Sequence, residues 1–177
     1  MKHSRVIDLR LHQDAEAEIQ RIRVEVARES EALSLTYQLL GDLSVLRIPG
    51  AADQVEADRL WAHSCFEVFW RRKESSSYWE YNFSPSGQWA AYAFSAYRQR
   101  QERAAFPVVP NMEWSRTAKC LLLRATLLLP RGSFPVRLAL SAVLERADGH
   151  CLYYAAQHPE SGAPDFHHAK SFSLFIP

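Results

Sequence analysis

Cysteine is scarce in this chain. There are three, Cys65, Cys120 and Cys151, in 177 residues, and none falls in a CxxC spacing. An odd number of widely spaced thiols argues against a disulfide framework and against a zinc knuckle. The methionines number two and the histidines fall in loop-like stretches, a poor basis for axial haem ligation. We therefore expect neither metal nor cofactor. The formal charge is only +1, with both signs interspersed and no basic stripe, so nucleic acid is not an expected partner. Long apolar runs are missing as well. The most leucine-rich stretch, from Cys120 to Pro130, is interrupted by Arg124 and is too short to span a bilayer. MKHSRVIDLRLHQD at the start lacks the apolar run of a signal peptide, so the expected setting is soluble, reducing and cytoplasmic, away from membranes. GxSxG, P-loop and GxGxxG motifs are also missing, which removes support for a serine nucleophile or a dinucleotide site.

What the chain has is apolar and aromatic residues, 47% and 12% respectively, with five Trp. That is enough for a real core, and the length fits one domain over 1–177, without repeats or a linker. Apolar residues recur with the strand period of two in several segments. Strands are expected around Val6 to Leu9, from Ile19 to Ala27, through ALSLTYQLL (32–40) and through LSVLRIP (43–49). Others are expected in SCFEVFW (64–70), YWEYNF (78–83), QWAAYAF (88–94), CLLLRATLLLP (120–130), FPVRLALSAVLERA (134–147), HCLYYAAQ (150–157) and SFSLFIP (171–177). DAEAEIQ (14–20) has helix-like composition but runs into the alternating segment. AADQVEADRLWAH reads as a loop with room for one helical turn, and 97–118 reads mostly as loop. Asp148-Gly149 is a hairpin signal. Strands at this spacing, without long helices between them, predict an all-β antiparallel sandwich or barrel.

YWEYNFSPSGQWAAYAF (78–94) carries the site argument. Treating Ser84-Pro85-Ser86-Gly87 as a four-residue turn opposes Phe83 to Gln88, Asn82 to Trp89 and Glu80 to Ala91. Directly opposed residues share a face. Trp79, Tyr81, Phe83, Ala90, Tyr92 and Phe94 then form a core face. Tyr78, Glu80, Asn82, Trp89, Ala91 and Ala93 form the other. A four-residue connection at 72–75 sets Val68 against Trp79 and Phe66 against Tyr81 on the core side. It sets Glu67 against Glu80 and Cys65 against Asn82 on the other side. Glu67, Glu80, Asn82 and Trp89 thus become a candidate ligand-binding cluster, with alanines leaving space above it. Opposed carboxylates repel and need compensation from an arginine, a cation, a shared proton or a ligand. Three readings of this face follow: solvated outer surface, ligand site, or buried network with Arg124 or Arg137.

Other groups are weaker. His63 and Glu67 have HxxxE spacing, which suits a metal on a helix but not on a strand. His167 and His168, being adjacent, point to opposite faces of extended chain, so one of them is expected to reach the Glu67/Glu80 surface, and His167 is taken as the candidate. Cys65 reads as a packed thiol.

LWAHSCFEVFW, YWEYNFSPSGQWAAYAF and HPESGAPDFHHAKSFSL together resemble the DOMON-like proteins related to the type 9 carbohydrate-binding module, over about residues 5–176. The resemblance implies a β-sandwich of jelly-roll type and a relationship to domains that bind sugars or haem. It carries over no functional residue. The leading expectation is a non-catalytic binding module for a saccharide or sugar-like cell-wall precursor. The alternatives are an enzyme using the Glu67/Glu80 pair and a protein-interaction module.

Overall fold

A computed structural model describes residues 3–12, 21–102, 109–160 and 162–177. The described residues contain no α-helix; they form twelve strands joined in one antiparallel sheet. In chain order these are β1 (His3–Leu11), β2 (Arg21–Glu29), β3 (Ala32–Leu40), β4 (Cys65–Arg72), β5 (Tyr78–Phe83), β6 (Trp89–Ala96), β7 (Gln99–Arg100), β8 (Asn111–Arg116), β9 (Cys120–Leu128), β10 (Val136–Glu145), β11 (Cys151–Ala155) and β12 (Leu174–Ile176). The order across the sheet is β7-β6-β5-β4-β10-β11-β1-β2-β3-β9-β8, and β12 pairs with β10. The all-β, antiparallel expectation holds. Among the described residues no helix is long and apolar enough to cross a membrane.

Only two residue pairs, Arg10 with Ala155 and Leu11 with Tyr154, tie β1 to β11. At that narrow join the sheet turns back on itself. Tyr37 of β3 donates its hydroxyl to the Glu67 carbonyl of β4 at 2.7 Å, and its ring lies 5.1 Å from Phe66. These two strands are far apart in the sheet order, so the halves face each other. Between them lies a single core built from the period-2 positions of both. Ile22, Val24, Leu35, Leu121 and Leu123 come from one half, and Phe66, Val68, Trp70, Tyr81 and Leu140 from the other. Burial of this apolar surface is the main stabilising term.

Several local expectations are corrected. LSVLRIP does not continue as a strand. Asp42 accepts from the Ser44 backbone and hydroxyl at 2.9 and 2.7 Å, and this local competition favours a 3-10 turn at Leu43–Val45. Only Leu46 makes a bridge, to Arg146. The stretch 97–118 contains β7 and β8 as well as loop. On β8 Met112 faces inward while Asn111, Glu113 and Ser115 stay polar, as suits an edge strand. The strand placed at Ile19–Ala27 is found at Arg21–Glu29, and DAEAEIQ lies outside the described residues. Asp148-Gly149 does form the β10–β11 turn, closed by Gly149 N–H to the Arg146 carbonyl at 2.9 Å.

Both hairpins around β5 differ in register from expectation, with opposite consequences. Between β4 and β5 the pairing moves by two residues, so Val68 opposes Tyr81 and Glu67 opposes Asn82. An even shift leaves every face unchanged. Between β5 and β6 it moves by one. Gly87 N–H bonds to the Ser84 carbonyl at 3.0 Å, and Ser84 N–H bonds to Gln88 at 2.8 Å. Gly87 has φ 98, the signature of a type I turn closed by a glycine bulge. The loop is therefore three residues, 85–87, and Phe83 opposes Trp89. An odd shift exchanges the faces of β6. Trp89, Ala91 and Ala93 face the core side, while Ala90, Tyr92 and Phe94 face out.

Candidate functional site

The outer face of the half containing β4, β5, β6, β10 and β11 is not open to water. The described residues of the 158–173 segment, 158–160 and 162–173, cross it, and Phe166 and Phe172 enter a second apolar cluster with Phe69, Tyr78, Tyr92 and Phe94. Asp165 fastens this segment to the β6–β7 turn. It accepts from Tyr97 Oη at 2.6 Å, Arg98 Nη2 at 2.9 Å and the His167 backbone at 3.1 Å. Burial raises the Asp165 carboxyl, but these donors outweigh it and the net shift is downward.

Beneath the segment the sheet presents a polar row. Asn82 of β5, Glu67 of β4 and Ser141 of β10 oppose one another directly across three strands. The row ends in Ala90 on one side and Ala155 on the other. One step along, Tyr92, Glu80, Phe69 and Ala139 form the next row. Glu67 and Glu80 are thus diagonal rather than opposed. All these residues are buried: Glu67 is 2% exposed, Glu80 5% and Asn82 0%.

Their hydrogen bonds are specific. Ser141 Oγ donates to Glu67 Oε2 at 2.9 Å, and the Cys65 thiol lies 3.4 Å from Oε1. Asn82 Nδ2 donates to Glu80 Oε1 at 2.7 Å. His167 Nε2 stands 3.7 Å from Glu80 Oε2, an approach too long for a hydrogen bond. Tyr78 accepts from Arg98 N–H at 3.0 Å and lies 2.8 Å from His167 Nδ1. The Tyr78 hydroxyl oxygen has two lone pairs, so this contact suits either imidazole tautomer, and the Nε2 edge faces Glu80.

The electrostatics follow from burial. Desolvation, then the Glu80 charge, pushes Glu67 up to about 8 against the donors from Ser141 and Cys65. Desolvation pushes Glu80 up to about 7, opposed by the Asn82 bond and by Arg100 and Arg98. The two carboxyls hold a proton at neutral pH. Burial pushes His167 down to about 4, and the Arg98 charge adds to this, so the ring is neutral. Burial and the Glu67 charge push the Cys65 thiol well up, which removes it as a nucleophile.

Above the two rows lies a cavity of about 350 Å³, lined by Glu67, Glu80 and His167 and walled by Phe69, Tyr92, Phe94, Tyr153 and Phe166. Trp61, Arg98 and Arg100 also line it. The volume is at the small end of the range for ligand sites, roughly 300–1,000 Å³.

Of the expected site residues, Glu67, Glu80, Asn82 and His167 come together here. Trp89 does not: the odd register shift puts it in the inner core, 5% exposed. The space over the sheet comes from Ala90, Ala139 and Ala155 rather than from Ala91 and Ala93. Neither arginine considered as a partner for the carboxyls reaches them. Arg124 is exposed on β9, and Arg137 opposes Arg71 and lies over Phe175. His63 bonds Glu145 at 2.8 Å rather than Glu67, and His168 caps the turn at Ala169–Ser171. No group of three or more metal-ligating side chains gathers among the described residues. Sequence reasoning missed Tyr92, Ser141, Tyr78 and Arg98. Ser141 had a legible signal, a lone hydroxyl inside the apolar run LALSAVL.

Comparison with known proteins adds the fold. No family model matches the chain, and no curated protein matches it. Among solved structures it is similar to the crystal structure of a "putative carbohydrate-binding protein" from Bacteroides uniformis, with a TM-score of 0.69 at 14% identity. The likeness covers 98% of this chain and 84% of that one. At this identity it shows a shared fold.

Proposed function

We propose that the cavity between the outer sheet face and the 158–173 segment binds a saccharide or sugar-like small molecule without transforming it. The observation that carries this reading is a partly enclosed, ligand-sized space with a hydrogen-bonding floor and aromatic walls. A carboxyl pair that holds a proton both donates and accepts, as ring hydroxyls require. The ring faces of Tyr92, Phe94 or Phe166 offer apolar contact for a pyranose, the role first given to Trp89. The likeness in fold to a protein described as carbohydrate-binding supports the reading, as does the resemblance to the DOMON-like and type 9 module families. The ligand class extends to cell-wall precursors in that reading.

Ligand-observed NMR against monosaccharides, amino sugars and nucleotide sugars tests it. Binding should be lost in Glu80→Gln and weakened in His167→Ala, with both variants folded. A ligand that binds both variants as it binds the wild type places the site elsewhere. The second reading is acid–base catalysis, favoured by one observation: His167 Nε2 faces the free oxygen of a carboxyl that titrates near neutrality. Turnover of any bound glycoside, lost in Glu80→Gln, would establish it.

A further inference from the structure

The two carboxyls of the floor lack something buried acids normally have. Among the described residues, neither Glu67 nor Glu80 has a lysine or arginine nitrogen within ion-pair distance; His167 stands 3.7 Å from Glu80, and Arg98 and Arg100 act on Glu80 only from the cavity wall. That ring spends its Nδ1 on Tyr78 and is neutral, so it brings no charge. The arginines of the wall are occupied elsewhere. Arg98 is paired with Asp165 at 2.9 Å, and Arg100 lies over the Tyr92 ring, 4.1 Å from its centroid.

The hydrogen bonds divide the floor unequally. Both oxygens of Glu67 face protein donors, Cys65 and Ser141. Glu80 receives Asn82 on Oε1, while Oε2 has no bond and borders the cavity. Phe69 and Phe94 line the same cavity, and each packs T-shaped against the His167 ring at 5.0 Å between centroids. A buried acceptor with no direct ion-pair partner, in a cavity walled by aromatic rings, attracts a cation through the carboxylate and, where a ring face is presented, through the ring quadrupole. A neutral hydroxyl would satisfy Oε2 but would bring no charge to a carboxylate that the wall arginines reach only at a distance.

We propose that the ligand of this pocket presents a protonated primary amine to Glu80 Oε2, with Glu67 behind it, so that among sugars the site selects amino sugars. The ammonium takes the place of the proton that the carboxyl pair holds, with Glu80 Oε2 as its acceptor. This rests on the sugar-binding reading above and narrows it to one ligand class.

Isothermal titration with glucosamine, glucose, N-acetylglucosamine and cyclohexylamine at neutral pH separates the two. Glucosamine should bind about tenfold or more tighter than glucose or N-acetylglucosamine, the scale of one charge-assisted hydrogen bond. Glu80→Gln should abolish that preference while its thermal melting stays cooperative. Should Glu80→Gln fail to fold, His167→Gln in its place should keep the amine preference, because the ring contributes no charge. Glucose or N-acetylglucosamine binding as tightly as glucosamine overturns the amine inference and leaves the sugar reading standing. Cyclohexylamine binding as tightly as glucosamine, with glucose silent, supports the amine and overturns the sugar. Silence from all four probes overturns both.

Discussion

The two outer faces of this sheet obey the same period-2 pattern and end in different environments. On β2 and β3, the outward residues are Arg21, Arg23, Glu25, Thr36 and Gln38, which meet solvent or each other. Asp8 pairs there with Arg21 at 2.8 Å, both side chains about half exposed. On β4 and β5, the outward residues are Cys65, Glu67, Phe69, Tyr78, Glu80 and Asn82, all buried under the 158–173 segment. The difference lies in the company the charges keep. Scattered charges among polar neighbours mark a solvated face. Two acids and an amide among aromatics mark a covered one, because aromatic surface is worth burying and draws the chain over it.

The largest effect expected is in the layer both faces share. Trp89→Ala removes a buried indole from the inner core and should cost about 3–5 kcal/mol by urea unfolding. Residual folded protein should keep the outer pocket intact. Loss of ligand binding in a folded Trp89 variant would restore Trp89 to the site.

Next comes pH. Glu67 and Glu80 hold protons in the folded protein that they release at ordinary carboxylate values when unfolded. Groups with raised values stabilise fully below their unfolded pKa and lose that contribution as pH rises through the folded one. His167 has the opposite sign: its depressed value means the unfolded chain binds the extra proton between about 4 and 6.5, so stability rises across that range. The two trends oppose each other below pH about 6.5, and from there to about 8 the carboxyls act alone. Stability should fall over that upper interval, by up to about 1.4 kcal/mol per pH unit for one held proton. Glu67→Gln should flatten the slope in denaturant melts recorded across pH. An unchanged slope in that variant would assign the effect to other groups.

The smallest effect belongs to the solvated face. Arg124→Gln should change stability by no more than about 0.5 kcal/mol, and leave the upper-pH slope as it is. A large cost there would reveal a partner for the carboxyls that the geometry does not provide.

Much of this was legible from residues alone. Alternation placed ten of the twelve strands and put Phe66, Val68, Trp79, Tyr81 and Phe83 on one face, with Glu67, Glu80 and Asn82 on the other. The β4–β5 register was wrong by two and did no damage, since parity decides faces. The β5–β6 register was wrong by one and exchanged Trp89 with Tyr92. The cause is a single backbone state: with Gly87 at φ 98, the SPSG turn closes on three residues instead of four. Serine, proline and glycine there fit both closures, so composition does not choose between them. The cover over the site was harder still. HPESGAPDFHHAK reads as a polar loop, and its docking depends on Asp165 meeting Tyr97 and Arg98, residues about 67 positions away. No local pattern encodes such a contact.

The central claim is that Glu67 and Glu80 sit on a covered face around a polar cavity, not on a solvated one. Carbon-detected NMR titration of the glutamate side-chain carboxyls tests it without any ligand. Two resonances, assigned by Glu67→Gln and Glu80→Gln, should titrate well above the rest, near 8 and 7. If every glutamate carboxyl titrates together near the ordinary value of about 4.3, both acids are solvated and the site described here does not exist.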